Sequence, residues 1–154
     1  MRPLLFFLLL PLLTPARAGI IVEYTYYVQE PLEEVDYTQL LPTGKVIAFE
    51  GDWLMEKNLE AYDTRQRFQL YHLPERVRYW CSTNEGVRIA LQGPMDELPA
   101  AQLVMGEEKT IAGLPCRRAV YVQGNDTLSV YYTDVFGIEF CRVARVPGLA
   151  MEYE

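Results

Sequence analysis

The chain has 154 residues, and its 21 acidic side chains outnumber its 14 Lys and Arg side chains, which gives a net charge of −7 at pH 7. This length is sufficient for one domain with its own core. An acidic surface without a basic cluster repels phosphate backbones, so the composition argues against nucleic acid as a partner.

The N-terminal segment has the three parts of a secretory signal peptide. Arg2 precedes an apolar run over residues 4–13, and residues 16–18 form an A-x-A cleavage site. The apolar run contains a proline and is too short to cross a bilayer, so a membrane-spanning protein is not expected. We predict a signal peptide over residues 1–18, export to the periplasm or the cell exterior, and a single β-rich domain over residues 19–154. An uncleaved anchor is the alternative.

Alternating apolar and polar side chains predict β-strands along most of the remaining chain, and no stretch shows a convincing helical period. Turn signals separate the strands, for example Gly51-Asp52 and Pro74-Glu75. The pattern therefore predicts an all-β or mostly β fold of about eight to ten antiparallel strands with little helix. The predicted strands cover residues 19–29, 45–50, 53–57, 67–73, 76–82, 87–92, 103–111, 138–144 and 149–153, with a further hairpin around residue 124, an exposed loop at 30–42 and a proline-containing break at 93–101.

The hairpin around residue 124 has two possible registers, and a slip of one residue exchanges its faces. A two-residue Gly124-Asn125 turn places Ala119 on one face with the apolar side chains of the following strand. A three-residue loop places Cys116 on that face instead and leaves Arg117 in water. The second register collects more aliphatic area and is preferred.

Three cysteines follow the predicted leader, and none has a C-x-x-C neighbour, so neither a zinc site nor a thioredoxin-like motif is expected. In a simple meander one strand separates Cys116 from Cys141, which is too far for a disulfide. Export favours a disulfide, and Cys81–Cys116 is then the preferred pair with Cys141 free. Three reduced, buried thiols are the alternative.

No catalytic, cofactor or metal site is predicted. His72 has no recognisable nucleophile partner and is interpreted as a surface histidine. Asn125 begins an N-x-[ST] pattern in the predicted turn of the hairpin around residue 124. The acidic residues of the predicted loop lack the spacing of a calcium site; they are Glu30, Glu33, Glu34 and Asp36.

Aromatic side chains on the predicted strands are the best candidates for a ligand-binding concavity. Ordinary β-sheet packing is the simpler interpretation of the same residues. The candidate ligand-facing residues are Tyr24, Tyr26, Trp53, Tyr79, Trp80 and Tyr132, and the same group of strand aromatics includes Tyr71 and Tyr131.

One motif of the sequence is spread over three segments. It consists of residues 110–119 (TIAGLPCRRA), a predicted strand that contains residues 131–133 (YYT), and residues 146–150 (VPGLA). It resembles the GLPGLI family and a related uncharacterised domain of exported bacterial proteins. The motif positions are Gly113, Cys116, Arg117, Arg118, Pro147 and Gly148.

Leu114-Pro115 replaces the aromatic-basic pair that is usual in that family, so the chain resembles a divergent member. The resemblance implies a curved antiparallel sheet, similar to the half-barrel of outer-membrane lipoprotein carriers. It implies no activity.

The functional expectation is a non-catalytic binding or cell-envelope protein without a cofactor. It would present an apolar, aromatic face of a curved sheet to a lipid, a peptide or an envelope protein. The alternatives are a hydrolase that uses acidic residues on the sheet, and a structural or assembly factor at the cell surface.

Overall fold

Strands dominate the computed structural model, which describes residues 19–27, 41–59 and 67–154. The described residues contain antiparallel strands and no helix, which confirms the all-β prediction. The ten strands are β1 (Ile20–Thr25), β2 (Gly44–Glu50), β3 (Trp53–Leu59), β4 (Phe68–His72), β5 (Val77–Asn84), β6 (Val87–Pro94), β7 (Gln102–Ile111), β8 (Leu114–Gln123), β9 (Asp126–Thr133) and β10 (Leu149–Tyr153).

The chain divides between Gly93 and Pro94 into two compact units. The first unit contains a six-stranded sheet in the order β1-β2-β3-β4-β5-β6, and the second a four-stranded sheet in the order β10-β9-β8-β7. The sequence analysis treated residues 19–154 as one domain. The division falls within the proline-containing break predicted at residues 93–101.

The six-stranded sheet is built from consecutive hairpins, so each strand pairs with its neighbour in the sequence. Strand alternation gives the sheet a face that carries Ile47, Phe49, Leu54 and Tyr71, all buried, and we call it the Ile47 face. The opposite face carries Trp53, and we call it the Trp53 face. The Ile47 face is the one that bears the cleft described below.

The four-stranded sheet is packed on one face by the segment between β9 and β10. Cys141 and Val146 of this segment contact Ala119, Val130 and other buried residues of the sheet. The strand predicted at residues 138–144 is wrong, because this segment makes only two isolated parallel bridges, at residues 140 and 145.

The β8–β9 hairpin uses the two-residue turn, since Gln123 lies opposite Asp126 and Ala119 opposite Val130. The preference for a three-residue loop was therefore wrong. The three-residue loop was preferred because it would place more aliphatic side chains, including Val122, on the core face. In the structure Val122 is exposed and does not contribute to the core. Cys116 is nevertheless buried and Arg117 exposed, as expected.

Two predicted segments lie outside the described residues, namely the signal peptide at 1–18 and most of the acidic loop at 30–42. Within the described ranges, no helix is long and apolar enough to cross a membrane.

Candidate functional site

A cleft of about 620 Å³ opens on the Ile47 face of the six-stranded sheet. This volume lies within the range that small-molecule sites usually occupy. Strands β3 to β6 all contribute to it. The lining residues are Glu56, Asn58, Arg67, Phe68, Gln69, Trp80, Cys81, Ser82, Asn84, Ile89 and Leu91.

The lining changes from polar to apolar across the sheet. Glu56 lies opposite Gln69, and Gln69 lies opposite Trp80, so the three side chains form one row across β3, β4 and β5. Beyond Trp80, strand β6 adds Ile89 and Leu91 to the lining. Strand β3 therefore offers hydrogen-bonding groups and β6 an apolar surface, while β5 adds the polar side chains of Ser82 and Asn84 beside Trp80.

Trp80 is the largest side chain among the lining residues, and its ring is held from two directions. The guanidinium carbon of Arg78 lies 4.1 Å from the ring centre, which is a cation–π contact. A Cβ atom on Gly93 would lie 2.8 Å from Cζ3 of the indole, so only glycine leaves the ring in this position. The indole remains 40% exposed and is available to a ligand.

The Glu56 carboxylate is fixed at the polar side of the cleft by two donors. Lys45 Nζ lies 3.4 Å from Oε1, and the Tyr71 hydroxyl lies 3.0 Å from Oε2. The same hydroxyl also lies 3.0 Å from Oε1 of Gln69. Because it has only one proton, it donates its hydrogen bond to the carboxylate, which is the stronger acceptor.

The structure does not bring the six predicted aromatic residues into one site. Trp80 lines the cleft, and Tyr24 lies on the same sheet face, with Lys45 Nζ 4.8 Å from its ring centre. Trp53 and Tyr79 lie on the opposite face, with 6.0 Å between ring centres. The other two lie elsewhere: Tyr26 is exposed beyond the end of β1, and Tyr132 is buried in the core of the second unit.

The sequence analysis missed the polar half of the cleft. Alternation along the strands places four polar side chains on the same sheet face as Trp80; they are Glu56, Asn58, Ser82 and Asn84. Within each strand this alternation could be predicted from the sequence. The pairing of β3 with β4 and β5, which brings these side chains together, was needed to recognise the site.

Each motif glycine occupies a position where another residue would have a strained backbone or a steric clash. Gly113 has φ 79° and, with Ala112 at φ 50°, forms the turn between β7 and β8. A Cβ on Gly148, which follows Pro147, would lie 2.4 Å from the carbonyl oxygen of Thr133. These motif residues shape turns and close backbone contacts in the second unit.

The two motif arginines point to opposite faces of β8, and both meet acids. Arg117 pairs with Asp134. Arg118 pairs with Glu107, and its guanidinium also donates to the Ser129 hydroxyl at 2.8 Å. Their contacts give them a structural role in the four-stranded sheet.

All three cysteines are thiols in the structure, and the predicted Cys81–Cys116 disulfide is not formed. Cys81 is half-buried in β5 of the first unit, whereas Cys116 and Cys141 are buried in the second. Burial raises the pKa of the Cys81 thiol and is the main reason that the pKa of Cys116 is raised.

His72 is mostly buried rather than on the open surface. Its Nδ1 lies 3.2 Å from the Glu75 carboxylate, and its ring centre lies 4.6 Å from that of Trp53. It therefore belongs to the Trp53 face and not to the cleft. Asn125 is exposed in the β8–β9 turn. Among the described residues, no group of three His, Cys, Asp or Glu side chains is placed to hold a metal ion.

No protein-family model and no curated protein matches the chain. Solved structures do: PNGF-II, in crystals of space groups C2 and P21, is similar with TM-scores of 0.55 and 0.54 at 13% sequence identity. The matches cover 72% and 71% of this chain but only 22% of PNGF-II, so the chain spans about a fifth of that protein's length. At this identity the likeness is one of fold. The resemblance to the GLPGLI family stays a prediction.

Proposed function

We propose that this chain is a non-catalytic binding protein that takes a small amphiphilic ligand in the cleft on the Ile47 face. The proposal depends on one observation, the polar-to-apolar change of the lining from β3 to β6. An amphiphile would place its apolar part against Trp80, Ile89 and Leu91, and its hydrogen-bonding part against Glu56 and Asn58.

The chemistry of the lining favours binding over hydrolysis. Among the described residues of the cleft lining Glu56 is the acidic one, and its two oxygens already accept from Lys45 and Tyr71. General acid–base hydrolysis of the kind that two carboxylates perform needs a second acid beside the first. An acceptor with a compensated charge suits recognition of a ligand hydroxyl or amide.

The predicted signal peptide supports a function outside the cytoplasm. We propose that the ligand is met in the periplasm or at the cell surface, as a lipid-like or peptide-like amphiphile. N-terminal sequencing of the native protein tests the export step separately, with Gly19 as the expected first residue and Met1 as the result that contradicts it.

The test of the cleft uses an amphiphilic fluorescent dye, anilinonaphthalene sulfonate, and the two tryptophans. Trp80 and Trp53 are 40% and 43% exposed, but they lie on opposite faces of the sheet. We expect Trp80→Ala to weaken dye binding on the order of tenfold or more, since an aromatic contact surface is lost. Trp53→Ala is the matched control and should bind the dye like the wild type.

A second pair of variants addresses the β6 side of the cleft without altering a tryptophan. Leu91 lines the cleft and Val87 does not, although both are exposed side chains on the same strand and face. We expect Leu91→Ser to weaken dye binding and Val87→Ser to leave it nearly unchanged. Equal effects within both pairs, with the fold verified by circular dichroism, would rule out the cleft as the site.

A further inference from the structure

Strand β6 lies at the edge of the six-stranded sheet and is exposed along almost its whole length. Its apolar side chains on the Ile47 face are uncovered, with Val87 60% and Leu91 63% exposed. Open edges of this kind are templates for pairing with another strand, and natural proteins usually protect them with charges, bulges or prolines. In β6 such protection is limited to Arg88 and the terminal Pro94.

The turn before β6 decides which of its backbone groups point outward. Strand β5 ends at Asn84 and β6 begins at Val87, and Glu85 and Gly86 between them have φ 49° and 81°. A two-residue turn of this type makes the flanking residues a hydrogen-bonded pair, so Val87 and every second residue after it bond to β5. The N–H and C=O groups of Arg88, Ala90 and Gln92 therefore point away from the sheet.

We propose that two copies of this chain pair through β6, antiparallel and related by a twofold axis at Ala90. In this arrangement Ala90 lies opposite the partner's Ala90, and Arg88 lies opposite the partner's Gln92. These are the outward-pointing residues, and each such pair exchanges two main-chain hydrogen bonds. The strand is self-complementary, as a twofold interface requires.

Other registers of the same pairing are poorer. Centring the axis on Arg88 sets this cation opposite the partner's Arg88, and like charges directly opposite are destabilising. Centring it on Gln92 brings Ala90 opposite the partner's Pro94, which has no N–H to donate. The two intermediate shifts lose one of the hydrogen-bonded pairs between Arg88 and Gln92. The sequence of β6 thus favours the axis at Ala90.

Pairing at Ala90 also extends the cleft. Ile89 lies opposite the partner's Leu91 on the Ile47 face, because directly opposite residues of antiparallel strands share a face. The apolar wall of each cleft would continue onto the partner's strand, and the two six-stranded sheets would form one continuous sheet. The pairing does not depend on ligand binding, so its failure would leave the proposed function standing.

Sedimentation velocity over a range of protein concentrations tests the pairing. We expect a concentration-dependent dimer for the full chain and a monomer for Ala90→Pro. The N–H of Ala90 does not bond to β5, and proline is tolerated on edge strands, so this variant should keep its circular dichroism spectrum and thermal stability. Ala90→Thr retains the N–H and a strand-favouring side chain, and it should still dimerise.

Charge changes at Gln92 test the register. Gln92→Glu places a carboxylate opposite the partner's Arg88 at two symmetric positions and should tighten the dimer about 2- to 30-fold. Gln92→Arg places two like-charged pairs there and should weaken it by a similar factor. Added salt should reduce both effects.

Three results would overturn the proposal. The first is a folded wild type that stays monomeric up to about 1 mM. The second is a dimer that Ala90→Pro leaves intact, because the contact would then lie elsewhere. The third is a shift of the dimer affinity in the same direction by both Gln92 variants.

Discussion

Lys45 and Glu56 form an ion pair in the six-stranded sheet, with 3.4 Å between Nζ and Oε1 and side chains only 5% and 6% exposed. Burying charges is costly unless each is compensated. The compensation here is local, because Tyr71 donates to the second carboxylate oxygen and the Tyr24 ring lies 4.8 Å from the ammonium nitrogen. The pair lies at the polar side of the cleft, so it couples the stability of the sheet to the site.

Removal of one partner should be much more damaging than removal of both. Lys45→Met removes the ammonium group beside the buried Glu56 carboxylate, and we expect a loss of about 3–5 kcal/mol in the free energy of unfolding. The double variant Lys45→Met/Glu56→Leu replaces the pair with apolar side chains and should recover most of that loss. Urea denaturation measures both. Equal destabilisation of the single and double variants would mean that packing, not charge, dominates at this position.

Gly93 should control the position of Trp80. The backbone at Gly93 is not left-handed, so alanine is tolerated there, but its Cβ would collide with the rigid indole. We expect Gly93→Ala to shift the Trp80 emission spectrum in a Trp53→Phe background and to weaken dye binding. Gly124→Ala is the control: it strains a turn with φ 63° and costs about 1 kcal/mol, but it should leave the emission of Trp80 unchanged. An unaltered spectrum in Gly93→Ala would contradict the contact.

Lys109 should make the stability of the four-stranded sheet depend on pH at both extremes. Its ammonium contacts Glu152 and Glu154 and lies 4.2 Å from the centre of the Tyr131 ring. The bond to Glu152, followed by that to Glu154, raises the pKa of Lys109, and the bond to Lys109 lowers the pKa of Glu154.

The sign of each effect follows from linkage. The lowered pKa of Glu154 stabilises the fold above the ordinary value of 4.5, and this contribution is lost as pH falls through the lower folded value. The raised pKa of Lys109 stabilises the fold below its ordinary value of 10.5, and this contribution is lost as pH rises further.

Denaturation midpoints measured as a function of pH check the expected losses of stability at low pH and at high pH. Glu154→Gln should reduce the acid-side loss and keep part of the alkaline-side loss, because Glu152 still contacts Lys109. Lys109→Met should reduce both. If the pH profile of Lys109→Met is identical to the wild-type profile, the contacts of Lys109 with Glu152 and Glu154 do not cause the pH dependence of stability.

The three thiols should react in an order set by their burial. Cys81 is half-buried and should be alkylated first in the native protein, but slowly, because burial raises its pKa and lowers the thiolate fraction. Cys116 and Cys141 should react only after denaturation. Mass spectrometry of non-reduced peptides provides the readout, and a linked Cys81–Cys116 peptide would restore the pairing that the sequence suggested.

Local features of the sequence were sufficient to place most of the strands and turns. The last strand, at residues 149–153, and the hairpin around Gly51-Asp52 were predicted correctly. Gly51, in that predicted turn, has a positive φ. Period-two alternation and the steric freedom of glycine act over a few residues, and so they can be recognised without knowing which strands pair.

Pairing between strands was decided only in the tertiary structure. The two registers of the β8–β9 hairpin differ by one residue, and the packing of Cys141 and Val146 against Ala119 and Val130 selects one of them. The same holds for the cleft. Glu56 and Trp80 come from strands that are not adjacent in the sequence, and they share a row only because β4 pairs with both. The sequence determined which side chains alternate onto one face, whereas the register between strands determined which of them meet.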